Sequence, residues 1–471
     1  MNFAEIKQTI RYCKRNGIKD TFLAAGERLE EKIRARKKGR YTYEEPSEEE
    51  LKKQTAEYEA METKPLISIV VPLYNTEPVF LEDLILSVMD QTYQNFELVF
   101  GDASEETVQE TVVKEFQEQY GKINYIRIGQ NSGISENTNA ILEKVQGDYV
   151  ALLDHDDVLT KDALYHMVTA LHRQMEKLGV KQYSQGPTLL YSDEDKVNAY
   201  MEKYFAQNIK PGYNLDLLLT NNYVCHLSMY RKDIIKALGL RKAYDGAQDF
   251  DLVLRTVLVT EEQVGKDNVK DYIVHVGKVL YHWRSSASST AENTDAKNYA
   301  YEAGGRAIES FLTIKGWDAE VVSLKHLGFY RVEYANLFEA RPDVGVVVRP
   351  IYKKGRLALG GLQSVKGEAK VLYGGLKKGY SGYLHRAALQ QQIKYGDIRC
   401  MEVRPELRDL FQEVTGYSYP LADEEREAFK DEEKNTQIVK KSIKFCNKLK
   451  EMGITIIYDP MEKVEKNEAD C

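Results

Sequence analysis

Cysteine is scarce and scattered: five residues, Cys13, Cys225, Cys400, Cys446 and Cys471, occur in 471, with no CxxC pair and an odd total. That pattern excludes a disulfide framework and a zinc site built on paired cysteines, and it suits a reducing compartment. No apolar run approaches the ~18 residues of a membrane-spanning helix. The opening stretch "MNFAEIKQTIRYCKRNG" carries charge where a secretory signal needs an apolar core. A cytoplasmic chain is therefore expected. Positive charge is not in excess either. The net charge is −8, which argues against a general binder of nucleic acid, whose phosphates need cationic faces. Missing too are a GxxxxGK[ST] loop, a GxSxG elbow, an HExxH pair and a GxGxxG after the first apolar run. ATP hydrolysis, serine hydrolysis and hydride transfer each lose their usual marker.

What is present is an ordinary globular balance, 43% hydrophobic and 29% charged, unevenly arranged. Residues 1–60 read as helical, with basic runs such as "KIRARKKGR" within residues 1–40, whereas the acidic, glutamate-rich residues 44–62 read as a linker. The basic segment is either a solvated helix face or a peripheral contact with an anionic membrane. From Lys64 onward, apolar runs alternate with helical periods: "LISIVVPLYN", "VFLEDLILSVMDQ", "NFELVFGDAS", "ETVVKEFQEQYG", "INYIRIG", "SENTNAILEKVQG" and "DYVALLDHDD". Continuous β-branched runs separated by helices predict an open, mostly parallel sheet with right-handed crossovers. Ligands of such sheets bind outside the carboxyl ends of the strands. Asn75, Asp102 and Asp154 all fall at such ends.

Residues 149–164, "YVALLDHDDVLTKDAL", drive a buried strand into three carboxylates, Asp154, Asp156 and Asp157. Like charges this close repel, so the cluster is either a solvated, helix-capping turn or a divalent-cation site. Asp154 and Asp156, one residue apart, can reach one hard cation such as Mg²⁺ or Mn²⁺, with substrate phosphates completing its shell. Asp157 is the weaker ligand and a candidate cap. Asp102 either accepts from a ribose or base, or makes an Asx-turn. In "GAQDFDLVLR", Asp249 is a candidate general base, while Asp251 suits the helix N-terminus or an ion pair. In "YHWR", His282 is a candidate metal ligand through a neutral imidazole, against a plain buried histidine, and Arg284 a candidate phosphate clamp.

Taken in order, "ISIVVPLYNTEPVFLEDLILSVMDQTYQNFELVFGDAS", "NSGISENTNAIL", "GDYVALLDHDDVL", "GAQDFDLVLR" and "YHWRSSASSTA" resemble the family 2 glycosyltransferases of GT-A fold over roughly residues 64–315. The resemblance implies a Rossmann-like, mostly parallel α/β domain that takes a nucleotide-diphosphate sugar, with an Asp-x-Asp motif holding Mn²⁺ or Mg²⁺ under the diphosphate. A later acidic residue acts as base, and the anomeric carbon inverts. Carried onto this sequence, Asp154 and Asp156 are the motif. Asp154 also faces the donor, and His282 is a further metal contact. Asp102 with Pro72, Tyr74 and Asn75 lies beside the nucleoside, Arg284 beside the diphosphate, and Asp249 is the base. Gln248 stands where many members have an acid. "YSDEDKV", with Asp193, Glu194 and Asp195, resembles a segment of polysaccharide-building members, although an acidic turn explains it equally.

The expected organisation is a helical segment and acidic linker (1–63), a GT-A domain (64–327), a connector (328–342), a smaller, degenerate α/β domain resembling a truncated second copy (343–460) and a polar tail (461–471). The expected activity is transfer from a nucleotide-diphosphate sugar, UDP-sugar favoured, to a hydroxyl of a glycan or lipid-linked acceptor in cell-surface polysaccharide synthesis. A dTDP-sugar (rhamnosyl) transferase, a non-catalytic glycan-binding or scaffolding member and a nucleotidyltransferase are the rivals. The last is disfavoured because "PLYNTEPVFLED" is neither glycine-rich nor basic. No nucleic-acid partner is expected; a homodimer and membrane contact through residues 1–40 are further expectations.

Overall fold

A computed structural model describes residues 3–39, 41–285, 294–428 and 431–461. Contacts divide the chain into two compact units, Arg40–Tyr213 with Asn222–Phe311, and Met1–Gly39 with Asn214–Asn221 and Leu312–Cys471.

The first unit is built on one nine-stranded sheet. Its strands are β1 (Ile67–Leu73), β2 (Phe96–Asp102), β3 (Ile123–Arg127), β4 (Tyr149–Leu152), β5 (Val158–Leu159), β6 (Leu189–Asn198), β7 (Tyr204–Asn208), β8 (Ser228–Arg231) and β9 (Ile273–Ser285). β1 is buried at six of its seven positions and β2 at all seven, as continuous apolar runs should be when helices cover both faces. The order is β3-β2-β1-β4-β8-β6-β9-β5, with β7 on β6. β3, β2, β1 and β4 run parallel, in the expected α/β pattern. β8 then pairs antiparallel with both β4 and β6, while β9 runs parallel to β6. The crossover helices Pro78–Met89 and Ala163–Leu178 bury Leu81, Leu84, Ile85, Val88, Leu164, Val168 and Leu171 against the sheet. A Cβ on Gly101 would lie 2.3 Å from Ile141 Cγ1. Glycine there lets the helix Ile134–Leu142 lie directly on β2, one residue before Asp102.

The acidic stretch expected to be a linker contains a helix, Glu48–Ala60. Ser47 caps it by accepting from the Glu50 N–H at 3.2 Å. Its Gln54 is buried and bonded to Thr92 and Asp162, and Tyr58 packs edge-on against Tyr93. Glutamates on the outer face hid this inner face from a reading by composition.

The second unit centres on Val344–Val348, paired parallel with Thr455–Tyr458 and antiparallel with Met401–Val403. The helix Glu432–Glu451 covers it with Ile438, Phe445, Cys446 and Leu449. The stretch 328–342, expected to connect domains, holds a strand, Tyr330–Tyr334, paired antiparallel with Ala319–Ser323, and a short helix, Leu337–Ala340. Among the described residues no helix is long and apolar enough to cross a membrane.

Arg341 ties this unit together. Fully buried, it donates to Asp216 Oδ1 at 2.8 Å and Asp343 Oδ2 at 2.8 Å, and its guanidinium lies 4.4 Å from the centre of the Trp317 ring. Removing the guanidinium alone strands two buried carboxylates. Arg341→Met is therefore expected to destabilise this unit by about 3–5 kcal/mol, read as an earlier unfolding midpoint in denaturant. An unchanged midpoint would show that water or another donor takes its place.

Candidate active site

β1 and β4 are neighbours, and their carboxyl ends open on a cavity of about 790 Å³ within the first unit, a size suited to a nucleotide-sized ligand. Pro72 and Tyr74 line it from the end of β1, Asp154 and His155 from the end of β4, Lys196 from β6, and Trp283 from β9. His226 enters just before β8, and Gln248 and Asp249 from the start of the helix Gln248–Val264.

The acidic turn separates its three carboxylates. Asp154 points into the cavity with 46% of its side chain exposed, 3.5 Å from His226 Nε2. Asp156 is half-buried, and burial with the Asp154 charge raises its pKa, although His155 pulls the other way. Asp157 is fully buried, accepting from the Tyr281 hydroxyl and from the Arg284 N–H at 2.7 Å. Burial first, then repulsion from Asp156 and Asp154, holds its pKa well above the usual carboxylate range. One turn thus offers one carboxylate to the cavity, half-buries a second and uses the third as an anchor.

Asp249 stands at the first turn of its helix, half-buried, with Oδ2 accepting from Asn222 Nδ2 at 2.8 Å. Burial raises its pKa and Asp154 adds to this, while His226 and the Phe250 N–H oppose it. Gln248 curls back to accept from the Gly246 N–H at 2.8 Å. Asp251, buried elsewhere on the same helix, is bonded to Arg241 Nε at 3.0 Å and Arg255 Nε at 2.9 Å. Its role is the ion pair.

The other residues singled out from the sequence are not among those lining the cavity. His282 is buried, its Nδ1 2.5 Å from Asp195 Oδ1, and its ring packs on Tyr43 and Tyr204. Arg284 is buried and donates to Asp156 O at 2.7 Å, Ala199 O at 2.7 Å and Asp83 Oδ2 at 2.9 Å, with Phe80 under its guanidinium. Strand alternation explains both: Trp283 turns into the cavity, so its neighbours 282 and 284 face the other side. Asp102 is buried, taking the Ser104 N–H at 2.8 Å in an Asx-turn, the Tyr125 hydroxyl at 2.7 Å and Arg127 Nη1 at 3.1 Å. Asn75, at φ 50°, accepts from the Glu105 N–H at 3.2 Å and shapes the turn beside Tyr74. The stretch from Ser286 of "YHWRSSASSTA" to residue 293 lies outside the described residues.

Among the lining residues that the sequence reading does not single out are Lys196, Trp283 and His226. Lys196 Nζ sits 4.2 Å from the Trp283 ring centre, across a pairing that sets Lys196 beside Trp283. His226 stacks on Tyr281 at 5.0 Å, while its backbone N–H donates to Glu194 at 2.6 Å. Period-two reading of β6 and β9 could have found the first two. Nothing local marks His226. The acids of "YSDEDKV" are all buried and engaged: Asp193 with His275, Glu194 with Lys210 and Asn208, and Asp195 with His282 and Tyr41.

Among the described residues no group of three or more His, Cys, Asp or Glu side chains could hold a metal ion. A hard cation bound with a diphosphate does not need one, because one or two protein carboxylates suffice when phosphate oxygens fill the shell. A half-exposed Asp154 beside a repelled Asp156 fits that demand.

Residues 68–239 match the family model described as glycosyl transferase family 2. A Sinorhizobium fredii protein, y4gI, is 33% identical over 292 residues, 61% of this chain and 30% of that protein. The Myxococcus xanthus O-antigen biosynthesis protein RfbC is 30% identical over 287 residues, 60% of this chain and 21% of that one. The chain thus spans less than a third of either curated relative. The crystal structure of S. aureus TarS 1–349 in complex with UDP overlaps 53% of this chain and 65% of that one, at 17% identity and a TM-score of 0.38, a likeness too slight to carry an argument.

Proposed function

We propose that this chain, whose residues 68–239 match the model of glycosyl transferase family 2, moves a sugar from a nucleotide-diphosphate sugar to a hydroxyl of a glycan or lipid-linked acceptor, in the assembly of a cell-surface polysaccharide. The O-antigen biosynthesis relative supports the pathway class. The observation that carries the chemistry is one cavity holding both Asp154, turned to the open space, and Asp249, with its carboxyl pKa raised.

In this reading Tyr74 and Pro72 flank the nucleoside, and Lys196 on Trp283 gives the donor side of the cavity a positive charge. Asp154 and Asp156 would hold Mn²⁺ or Mg²⁺, which would supply Lewis-acid neutralisation of the departing diphosphate. Asp249 accepts the proton of the acceptor hydroxyl. That oxygen bonds to the anomeric carbon as the carbon–diphosphate bond breaks, with inversion. Arg284 and Asp157 act as positioning residues, fixing the acidic turn through Asp156 O and the Arg284 N–H. His282 holds Asp195 in the same support.

The test is a thermal-shift panel of UDP, dTDP, GDP and CDP, each with Mn²⁺ or with chelator. UDP, the nucleotide that the family resemblance favours, is expected to raise the midpoint in a metal-dependent way. No shift with any nucleotide would sink the transferase reading and leave a fold kept for binding glycan.

A further inference from the structure

The N-terminal helix, Phe3–Lys38, is kinked at Gly17, whose φ is 79°. Beyond the kink, the helix is docked through one face. Glu27 accepts from the Ser381 N–H at 2.9 Å and the Gly382 N–H at 2.6 Å, Glu30 accepts from Tyr380 Oη at 3.3 Å and pairs with Lys377, and Asp20 lies 3.8 Å from Lys325 Nζ. At 100° per residue, Ile18, Phe22, Leu29 and Ile33 fall within one narrow stripe turned away from that face. They are 68%, 74%, 60% and 45% exposed. An ordinary surface helix does the reverse, burying its apolar stripe and showing water its charges.

Charge around the stripe is one-sided. Residues 1–40 carry twelve Lys and Arg against five Asp and Glu, in a chain whose net charge is −8. Three of those five acids, Asp20, Glu27 and Glu30, are spent on the docked face. Arg28, Lys32 and Arg36 are exposed next to the apolar stripe. The outward face therefore combines large apolar side chains with flanking cations, the composition that lies in the headgroup layer of an anionic bilayer. A second copy fits it poorly. Pairing two such faces sets like charges together, and a stable pair needs roughly 800 Å² per partner, more than one row of four side chains offers.

We propose that this outward face of the N-terminal helix lies on an anionic lipid surface, with Phe22 and Leu29 inserted and Lys32 and Arg36 against headgroup phosphates. The inference goes beyond the transferase reading and does not depend on it, because its readout is lipid binding.

Co-sedimentation of the full chain with vesicles tests it, using phosphatidylcholine alone and phosphatidylcholine with roughly one-third phosphatidylglycerol. Pelleting is expected only with the anionic vesicles, weakening as salt screens the phosphates. The doubly substituted Phe22→Glu, Leu29→Glu chain, with unchanged circular dichroism, is expected to partition roughly a hundredfold less. Lys32→Glu with Arg36→Glu should abolish the preference for anionic lipid. Three results overturn the proposal. One is no pelleting of the unsubstituted chain on anionic vesicles, and a second is equal pelleting of the Phe22/Leu29 variant. The third is a lipid-free dimer, seen in the ultracentrifuge, that the same variant splits, because then a second copy covers the stripe.

Discussion

Asp249→Asn is expected to lower the turnover of sugar transfer by roughly 10³-fold, within the range that a lost general base costs, while nucleotide binding stays near its original strength. The amide keeps the shape and can still accept from Asn222, whose Nδ2 now bonds Asp249 Oδ2 at 2.8 Å, but it cannot take a proton. The loss should therefore appear in kcat and leave KM for the donor almost unmoved. The pH profile has a sign. Burial raises the Asp249 pKa, and the base works only when ionised, so the rate should climb with pH through that raised value and then level off. Stability runs the other way. A carboxyl whose folded pKa is raised contributes stability that is fully present below its unfolded pKa and is lost as pH rises through its folded one. Asp249→Asn should consequently raise the unfolding midpoint at neutral pH, a gain that vanishes below the ordinary carboxylate range. Full turnover in the variant would mean that another group deprotonates the acceptor.

How far the sequence could be read depended on the kind of signal. The runs "ISIVVPL" and "NFELVFGD" announced strands buried on both faces, and they lie side by side in register from Ile67 with Phe96 to Leu73 with Asp102. The rule that ligands gather at strand carboxyl ends then placed Asp154 at the cavity. It failed for Asp102 because a strand end is also where a turn must be closed, and the Ser104 N–H, Tyr125 and Arg127 take up that carboxylate. Side-chain chemistry singles out His282 and Arg284, but alternation along β9 turns both away from the cavity. Their neighbour Trp283 faces the cavity. The helix Glu48–Ala60 falls within the stretch that reads as helical, but the linker reading misses its docking, because the docking face relies on Gln54 and Tyr58, a polar residue and an aromatic, in place of an aliphatic stripe. His226 could not be read at all: it reaches Asp154 only through the pairing of β8 with β4, a contact between residues far apart in the chain.

Asp154→Ala should remove metal-dependent nucleotide binding and lower transfer by roughly 10³-fold, since a Lewis acid on the leaving diphosphate is worth several kcal/mol. The fold should barely respond. Asp154 is nearly half-exposed, and the contact that holds it is His226 Nε2 at a loose 3.5 Å, so a stability change within about 0.5 kcal/mol is expected. Removing its charge should also let the Asp156 pKa fall toward the ordinary value, because Asp154 is one of the influences raising it. Asp157→Ala provides the contrast. That carboxyl is fully buried and accepts from Tyr281 and the Arg284 N–H, and its loss should cost about 1–3 kcal/mol by leaving two donors unmatched. A saturating nucleotide stabilises by mass action, about 2.7 kcal/mol at a hundredfold excess over Kd. The two variants therefore separate cleanly in one melting experiment: Asp154→Ala should melt like the original protein yet ignore nucleotide and Mn²⁺ together, whereas Asp157→Ala should melt early. A full, chelator-sensitive nucleotide shift in Asp154→Ala would place the cation on other ligands. The repulsion within the acidic turn would then have no cation to offset it, and its three carboxylates would have to be explained by the turn's own hydrogen bonds.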